Sequence, residues 1–179
     1  MPRNVEIKAR LDGIEALIPF AAALADHGPE HIAQDDTFFG CLHGRLKLGL
    51  FAVGRGELIA YDRPDSRGPK TSDYRITPVP EPDALRETLR RALGVTGRVV
   101  KQRTLFLVGR TRVHLDRVEG LGDFLELEVV LRDGEDAQQG NAEAHDLLAR
   151  LNVQPSQLVG GAYLDLLLEQ SDLPPIGRT

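Results

Sequence analysis

The stretch RNVEIKARL, residues 3–11, alternates between two kinds of side chain along most of its length. The aliphatic residues are Val5, Ile7, Ala9 and Leu11, and the charged residues between them are Glu6, Lys8 and Arg10. Successive side chains of a β-strand point to opposite faces. The alternation therefore predicts a strand with one apolar face and one charged face.

Similar alternation recurs in short segments bounded by glycine or proline. These strand-length segments are 31–41, 44–52, 56–63, 70–78, 97–108, 111–118 and 122–132. Aliphatic residues at helical spacing predict helices over 14–26, 81–94, 136–150 and 156–169. Short sequential strands favour antiparallel pairing, so we predict one α+β domain, residues 1–170, with a closed antiparallel sheet of about eight strands. Residues 171–179 are predicted to be a loose tail.

Composition narrows the setting in which the protein works. The chain has 179 residues and a net charge of -5, which gives no reason to expect nucleic acid or an anionic membrane as a partner. It contains no run of about 18 apolar residues, the length that a membrane-spanning helix needs. The single cysteine, Cys41, excludes an internal disulfide and a cysteine-rich zinc site. We therefore expect a cytoplasmic protein.

The charged faces collect neighbouring side chains of the same sign. The like-charged pairs are Arg45 with Lys47, Lys101 with Arg103, Arg110 with Arg112, and Glu126 with Glu128. Exposure of one sheet face to solvent is enough to explain an alternation of polar and apolar residues. It does not explain pairs of like charge, because like charges repel, so these pairs indicate a ligand that neutralises them. A polyphosphate suits the basic pairs, and Mg²⁺ or Mn²⁺ suits the acidic pair. Glu6 and Asp116 offer further carboxylates.

Other sequence patterns associated with catalysis or metal binding do not point to a site. The five histidines lack a clustered ligand spacing, and His114 is assigned a structural role although it has the best claim to a functional one. The chain has no phosphate-binding loop of the Walker type, and no Ser–His–Asp arrangement can be argued from its order of residues.

The chain resembles the CYTH family, or triphosphate tunnel metalloenzymes, over residues 3–168. The family's opening signature, Glu-x-Glu-x-Lys, is matched by NVEIK at 4–8. The other matching segments are QDDTFF at 34–39, GRLKL at 44–48, LIAYDR at 58–63, KTSDY at 70–74, KQR at 101–103, VHLD at 113–116, GLGDFLELE at 120–128 and AYLDLL at 162–167. The run 113–128 is most similar to the class IV adenylate cyclase branch.

The resemblance implies an eight-stranded antiparallel β-barrel, open at its ends, with flanking helices and the ligand inside. The implied metal ligands, for Mg²⁺ or Mn²⁺, are Glu6, Asp116, Glu126 and Glu128. The implied triphosphate contacts are Lys8, Arg45, Lys47, Arg63, Lys101, Arg103 and Arg112, with Lys70 and Arg10 as weaker matches. Glu6 and Lys8 are the candidate catalytic residues, and Lys8 would act as a base if other cations crowd it.

Two departures from the family pattern bear on function. Asn4 replaces the first signature glutamate, and Gly49 stands where a basic residue often follows the Arg45–Lys47 pair. Cyclisation of ATP to cyclic AMP and pyrophosphate is the leading expectation. Hydrolysis of thiamine triphosphate, a nucleoside triphosphate or tripolyphosphate stays open, as do non-catalytic binding of such a ligand and a structural protein with a charged sheet. Family members are often dimers, so a homodimer is also open.

Overall fold

The computed structural model describes residues 3–52, 54–64 and 68–171. The eight strands are β1 (Arg3–Leu11), β2 (His27–Phe39), β3 (Arg45–Ala52), β4 (Arg55–Asp62), β5 (Lys70–Val79), β6 (Val95–Val108), β7 (Thr111–Val118) and β8 (Gly122–Val130). The helices are α1 (Ile18–Leu24), α2 (Pro82–Leu93), α3 (Ala137–Arg150) and α4 (Tyr163–Ser171), with a 3₁₀ turn at Pro155–Gln157. No helix among these residues is long and apolar enough to cross a membrane.

The strands close into one barrel in the order β1-β5-β4-β3-β2-β6-β7-β8. Every neighbouring pair is antiparallel, including β1 with β8, which completes the circle. Closure removes the unpaired strand edges that an open sheet would expose. The predicted α+β fold with a closed, eight-stranded antiparallel barrel and flanking helices is confirmed.

The apolar face of β1 points outward and is covered by helices. Val5, Ile7 and Ala9 are fully buried there, in one cluster with the apolar face of α3. At Gly140 of α3 an added Cβ would lie 2.8 Å from Val5 Cγ2, so only glycine allows this close approach. Full burial of each large aliphatic side chain contributes roughly 1.5–3 kcal/mol. Because the aliphatic face is needed outside, the charged face is left to line the interior.

A second apolar cluster joins α4 to the barrel. Its buried members are Phe38, Val99, Val118, Leu121, Phe124 and Tyr163. Gly97 of β6 lies directly under a leucine of α4, where a side chain would collide with it. The contact fixes α4 against the barrel and brings Tyr163 to the tunnel wall.

The elements differ from the sequence prediction at two places. The helix predicted over 14–26 covers only Ile18–Leu24, with proline in its first turn, and β2 begins at His27 instead of residue 31. The helix predicted over 156–169 is wrong in its first half, because Gly160 and Gly161 interrupt it and Gly161 has φ of 74°. Ser171 ends α4, and the rest of the predicted loose tail, 172–179, lies outside the described residues.

Candidate functional site

The barrel encloses a tunnel of about 550 Å³ lined mainly by the charged faces of its strands. The charged residues at its wall include Glu6, Lys8, Asp36, Lys47, Arg63, Lys101, Arg103, Arg112, Glu126 and Glu128. Because the strands alternate, the aliphatic side chains point out of the barrel, where helices cover them, and the charged side chains collect in one cavity. Low effective dielectric strengthens the interactions between them.

Strand register arranges part of this wall in two rows across β1, β8 and β7. In one row Glu6 lies beside Glu128, and Glu128 lies beside Arg112. In the next row Lys8 lies beside Glu126, and Glu126 lies beside His114. The first row therefore places two acids side by side and next to a base, and the second places an acid between two nitrogen-bearing side chains, from strands that are far apart in sequence.

His114, Glu126 and Glu128 form a group that fits a divalent cation. One ligand atom from each lies within 4.8 Å of the others. His114 Nδ1 is buried, has no hydrogen-bond partner among the described residues, and lies 3.8 Å from an oxygen of each glutamate. That separation is too long for a hydrogen bond, whereas an ion between the three groups would satisfy the nitrogen. Sequence analysis gave His114 a structural role, although it shares a strand face with Arg112.

Glu6 lies beside this group, and the pKa of its carboxyl group is raised. Its carboxylate contacts Arg63, with 3.4 Å between Oε2 and Nε. Burial and then repulsion from Glu126 and Glu128 raise the pKa of Glu6 to about 7, despite Arg63 and Lys8. Arg63, Lys8 and Arg112 each pair with one of these three carboxylates, and a divalent cation among the acids would reduce their mutual repulsion further. The placement of Glu6 is therefore compatible with the predicted metal site.

Asp116 is placed differently from the other predicted metal ligands. Arg103 donates two hydrogen bonds to its carboxylate, at 2.7 and 2.6 Å, and the Tyr163 hydroxyl donates a third at 2.9 Å. Burial would raise the pKa of Asp116, but Arg103 and these bonds keep it below its ordinary value. The structure does not bring Asp116 into the group of His114, Glu126 and Glu128. Its oxygens instead hold Arg103 and Tyr163 in place.

Each residue predicted to contact triphosphate has a carboxylate partner. The pairs are Lys8–Glu126, Arg45–Asp165, Lys47–Asp36, Arg63–Glu6, Lys101–Asp36, Arg103–Asp116 and Arg112–Glu128. The inference that like charges on one strand need a ligand to neutralise them is therefore wrong as an argument, because acids on neighbouring elements do so. What the ion pairs provide is a tunnel whose cations are held in fixed positions.

Lys8 occupies the centre of these contacts. Its Nζ lies 3.2 Å from Glu126 Oε2 and 3.9 Å from the centre of the Tyr163 ring. Both a carboxylate and an aromatic face attract an ammonium group. This role of Tyr163 could not be predicted from the sequence, because Tyr163 lies 155 positions from Lys8 along the chain.

Asp36 is a buried acid that the sequence analysis did not assign to the site. Its Oδ2 lies 3.2 Å from Lys47 Nζ and 3.3 Å from Lys101 Nζ, and Gln34 Nε2 donates to both carboxylate oxygens. Burial would raise the pKa of Asp36, but the two lysines keep it well below its ordinary range. Asp36 lies in the segment QDDTFF at 34–39 that resembles the family, two residues from Gln34 and Phe38 on the tunnel face of β2.

Three further cations differ in position. Arg45 pairs with Asp165 of α4 at 2.9 Å and so reaches the helix that packs on the barrel. Lys70 lies beside Glu6 in the register, and burial with nearby cations lowers its pKa to about 8. Arg10, the other weaker match, is exposed and donates to the Leu121 carbonyl.

A closed antiparallel barrel whose interior holds opposed acidic and basic side chains defines the class of charged-tunnel barrel proteins. Residues 2–163 match the CYTH domain family. Because the match covers most of the chain, the protein belongs to the CYTH family, whose tunnel is a metal-dependent site.

Individual relatives agree with this placement. The chain is 29% identical over 176 residues to adenylate cyclase CyaB from Aeromonas hydrophila, covering 94% of this chain and 90% of that protein. The PH1012 protein from Pyrococcus horikoshii OT3 has a similar structure, with a TM-score of 0.82, 23% identity, and coverage of 92% and 99% of the two chains. The Hippeastrum protein HpAC1, described as having a dominant triphosphatase activity, gives 0.68 and 15%, with coverage of 96% and 98%. These two likenesses show the fold.

Proposed function

We propose that the protein is a divalent-metal-dependent enzyme that binds a triphosphate in the barrel tunnel and converts ATP to cyclic AMP and pyrophosphate. The observation that carries this proposal is the juxtaposition of His114, Glu126 and Glu128 with fixed cations in one tunnel. The CyaB relative, an adenylate cyclase by name, supports the choice of reaction.

The acidic group is proposed to hold Mg²⁺ or Mn²⁺. Glu126 and Glu128 supply the oxygen ligands that both ions prefer, and His114 adds a nitrogen that favours Mn²⁺. Glu6 and Asn4 are the further oxygen donors, since the buried Asn4 Oδ1 has no hydrogen-bond partner among the described residues. When bound, the cation supplies positive charge to the phosphate oxygens and orients them.

The tunnel cations are proposed to bind the phosphate chain. Lys8, Arg63 and Arg112 are each paired with a carboxylate of the proposed metal site, so a metal and a phosphate would bind next to each other. The remaining proposed phosphate contacts are Arg45, Lys47, Lys101 and Arg103. These fixed charges would offset the negative charge that develops during phosphoryl transfer. Glu6 and Lys8, nearest the proposed cation and phosphate, stay the proposed catalytic residues.

The rest of the tunnel wall favours a substrate with an organic part. Apolar side chains along it include Ile32, Phe51, Ile59, Ile76 and Leu105. Ile59 and Ile76 are direct neighbours on β4 and β5, and Ile76 is partly exposed. Ligand sites commonly combine such apolar surface with a few charged groups. An inorganic polyphosphate would leave this surface without a partner, whereas a nucleoside would cover it.

A triphosphatase is the second candidate, because the charged residues of the tunnel suit a metal and a phosphate chain whether the attacking group is a ribose hydroxyl or water. Asn4 in place of the first signature acid also keeps non-catalytic binding among the outcomes. One panel separates them: incubate the protein with Mn²⁺ or Mg²⁺ and ATP, thiamine triphosphate or tripolyphosphate. Cyclic AMP with pyrophosphate supports the cyclase, and orthophosphate supports the triphosphatase. Metal-dependent binding without product would leave a binding protein, and no binding at all would refute the proposal.

Location and assembly belong to the same proposal. The exposed free Cys41 suits a reducing cytoplasm. A homodimer stays a prediction from the family, and size-exclusion chromatography with light scattering measures it directly.

A further inference from the structure

Asp36 holds two lysines on one oxygen inside the tunnel. Lys47 reaches it from β3 and Lys101 from β6, on either side of β2, and the two ammonium groups lie 3.2 and 3.3 Å from the same Oδ2. Gln34 donates to both oxygens of the carboxylate at 2.8 and 3.0 Å. Asp36 is almost fully buried, with 1% of its surface exposed. These contacts hold the carboxylate in place and favour its charged form.

Gly49 provides the room for that carboxylate. It lies beside Asp36 in the register of β2 and β3. A Cβ at position 49 would lie 2.8 Å from Asp36 Oδ1, closer than such atoms approach one another. Even alanine at position 49 would displace the carboxylate from its present place. The Asp36 carboxylate therefore occupies the space that a side chain at position 49, basic or not, would need.

We propose that Asp36 is a specificity-determining and positioning residue: it fixes the Lys47–Lys101 pair as a phosphate-binding clamp with one net positive charge. This inference rests on the proposed function. Two lysines without Asp36 would offer two unpaired charges and bind any polyanion more tightly, but without a fixed geometry. With Asp36 present, the clamp binds polyanions less tightly but holds the phosphate chain in a defined position against the proposed metal site.

The charge part of this inference is tested by Asp36→Asn. The amide keeps the shape and removes the negative charge, so tripolyphosphate should bind about tenfold more tightly. Turnover of the bound substrate should fall by at least about tenfold, because the ammonium groups lose their fixed position. The matched control is Asp35→Asn, which removes the same charge from the outer face, where Asp35 pairs with Arg98. Affinity and turnover should stay at the wild-type level in the control.

The position part is tested by Gly49→Ala, which moves the carboxylate and keeps its charge. Turnover should fall by at least about tenfold, while the affinity for tripolyphosphate changes by less than about threefold, since the total charge is unchanged. If Asp36→Asn fails to fold, this variant carries the test, and unchanged turnover overturns the inference. A purely structural role would lower affinity, turnover and melting temperature together in both variants, which would also overturn it.

Binding of orthophosphate and tripolyphosphate by calorimetry separates this inference from the proposed function. A wild-type protein that binds neither these anions nor ATP in the presence of Mn²⁺ refutes the proposed function. If Asp36→Asn then binds these anions although the wild type does not, the inference about Asp36 is supported even though the proposed function is refuted. If the variant binds no better than the wild type, the inference is overturned, whatever the wild type does.

Discussion

Replacing Glu6 with glutamine should make the metal-free protein more stable above neutral pH and remove a pH dependence of its stability. Glu6 lies beside Glu126 and Glu128 with 17% of its side chain exposed, and these surroundings raise its pKa from 4.5 to about 7. A carboxyl group with a raised pKa keeps its proton in the folded protein when the unfolded chain has already lost it. Stability due to this group is therefore complete below about pH 4.5 and is lost as the pH rises to about 7.

The size of the effect follows from the shift. A change of 2.5 units, from 4.5 to about 7, corresponds to about 3 kcal/mol at 1.36 kcal/mol per unit. Glutamine has no proton to lose, so the difference in unfolding free energy between Glu6→Gln and wild type should rise by about 3 kcal/mol from pH 4.5 to 8. Titrating groups distant from Glu6 contribute equally to both proteins and cancel in this difference.

Urea unfolding at several pH values, with a chelator present, measures this difference. The matched control is Glu87→Gln on the surface of α2, where hydrogen bonds from Arg90 and Arg91 lower the pKa of Glu87 to about 2. The control should follow the wild-type pH dependence between pH 5 and 8. A Glu6→Gln curve that runs parallel to wild type over that range would refute the raised pKa of Glu6, which burial and then repulsion from Glu126 and Glu128 produce.

Three further predictions concern the proposed ligands. Glu126→Gln and Glu128→Gln should each remove metal-dependent turnover by about 100-fold or more and leave the fold intact; unchanged turnover in both, beside an unchanged circular dichroism spectrum, would sink the metal assignment. Lys47→Ala should weaken tripolyphosphate binding about tenfold to 100-fold in calorimetry, the loss of one charged hydrogen-bond donor; unaltered affinity would remove it from the phosphate contacts. His114→Ala should weaken Mn²⁺ binding more than Mg²⁺ binding in direct titrations, and an equal loss for both ions would exclude nitrogen ligation.

The barrel could be predicted because its signal is local. In β1 the alternation of Val5 and Ile7 with Glu6 and Lys8 fixes both the strand and the sorting of its faces. The same argument failed over 156–169, where leucine spacing suggested one helix. Gly160 and Gly161 interrupt it, and the backbone at Gly161 has a positive φ that other residues avoid.

The pairing inside the tunnel could not be predicted, because it depends on register between distant segments. Asp36 neutralises Lys101 across 65 positions of sequence, and no pattern within β2 announces that contact. His114 becomes a candidate ligand only because β7 places it beside Glu126 of β8. The sequence supplied Glu126 and Glu128 as a pair two residues apart on one strand face, whereas the third group came from a different strand.

The most direct test is a crystal structure with Mn²⁺ and a non-hydrolysable ATP analogue, using anomalous scattering at the manganese edge. The account predicts an anomalous peak between the carboxylates of Glu126 and Glu128 and the imidazole of His114. It places the phosphate chain inside the tunnel, in contact with Lys8 and Arg112. A peak elsewhere, or an analogue bound outside the barrel, would contradict it.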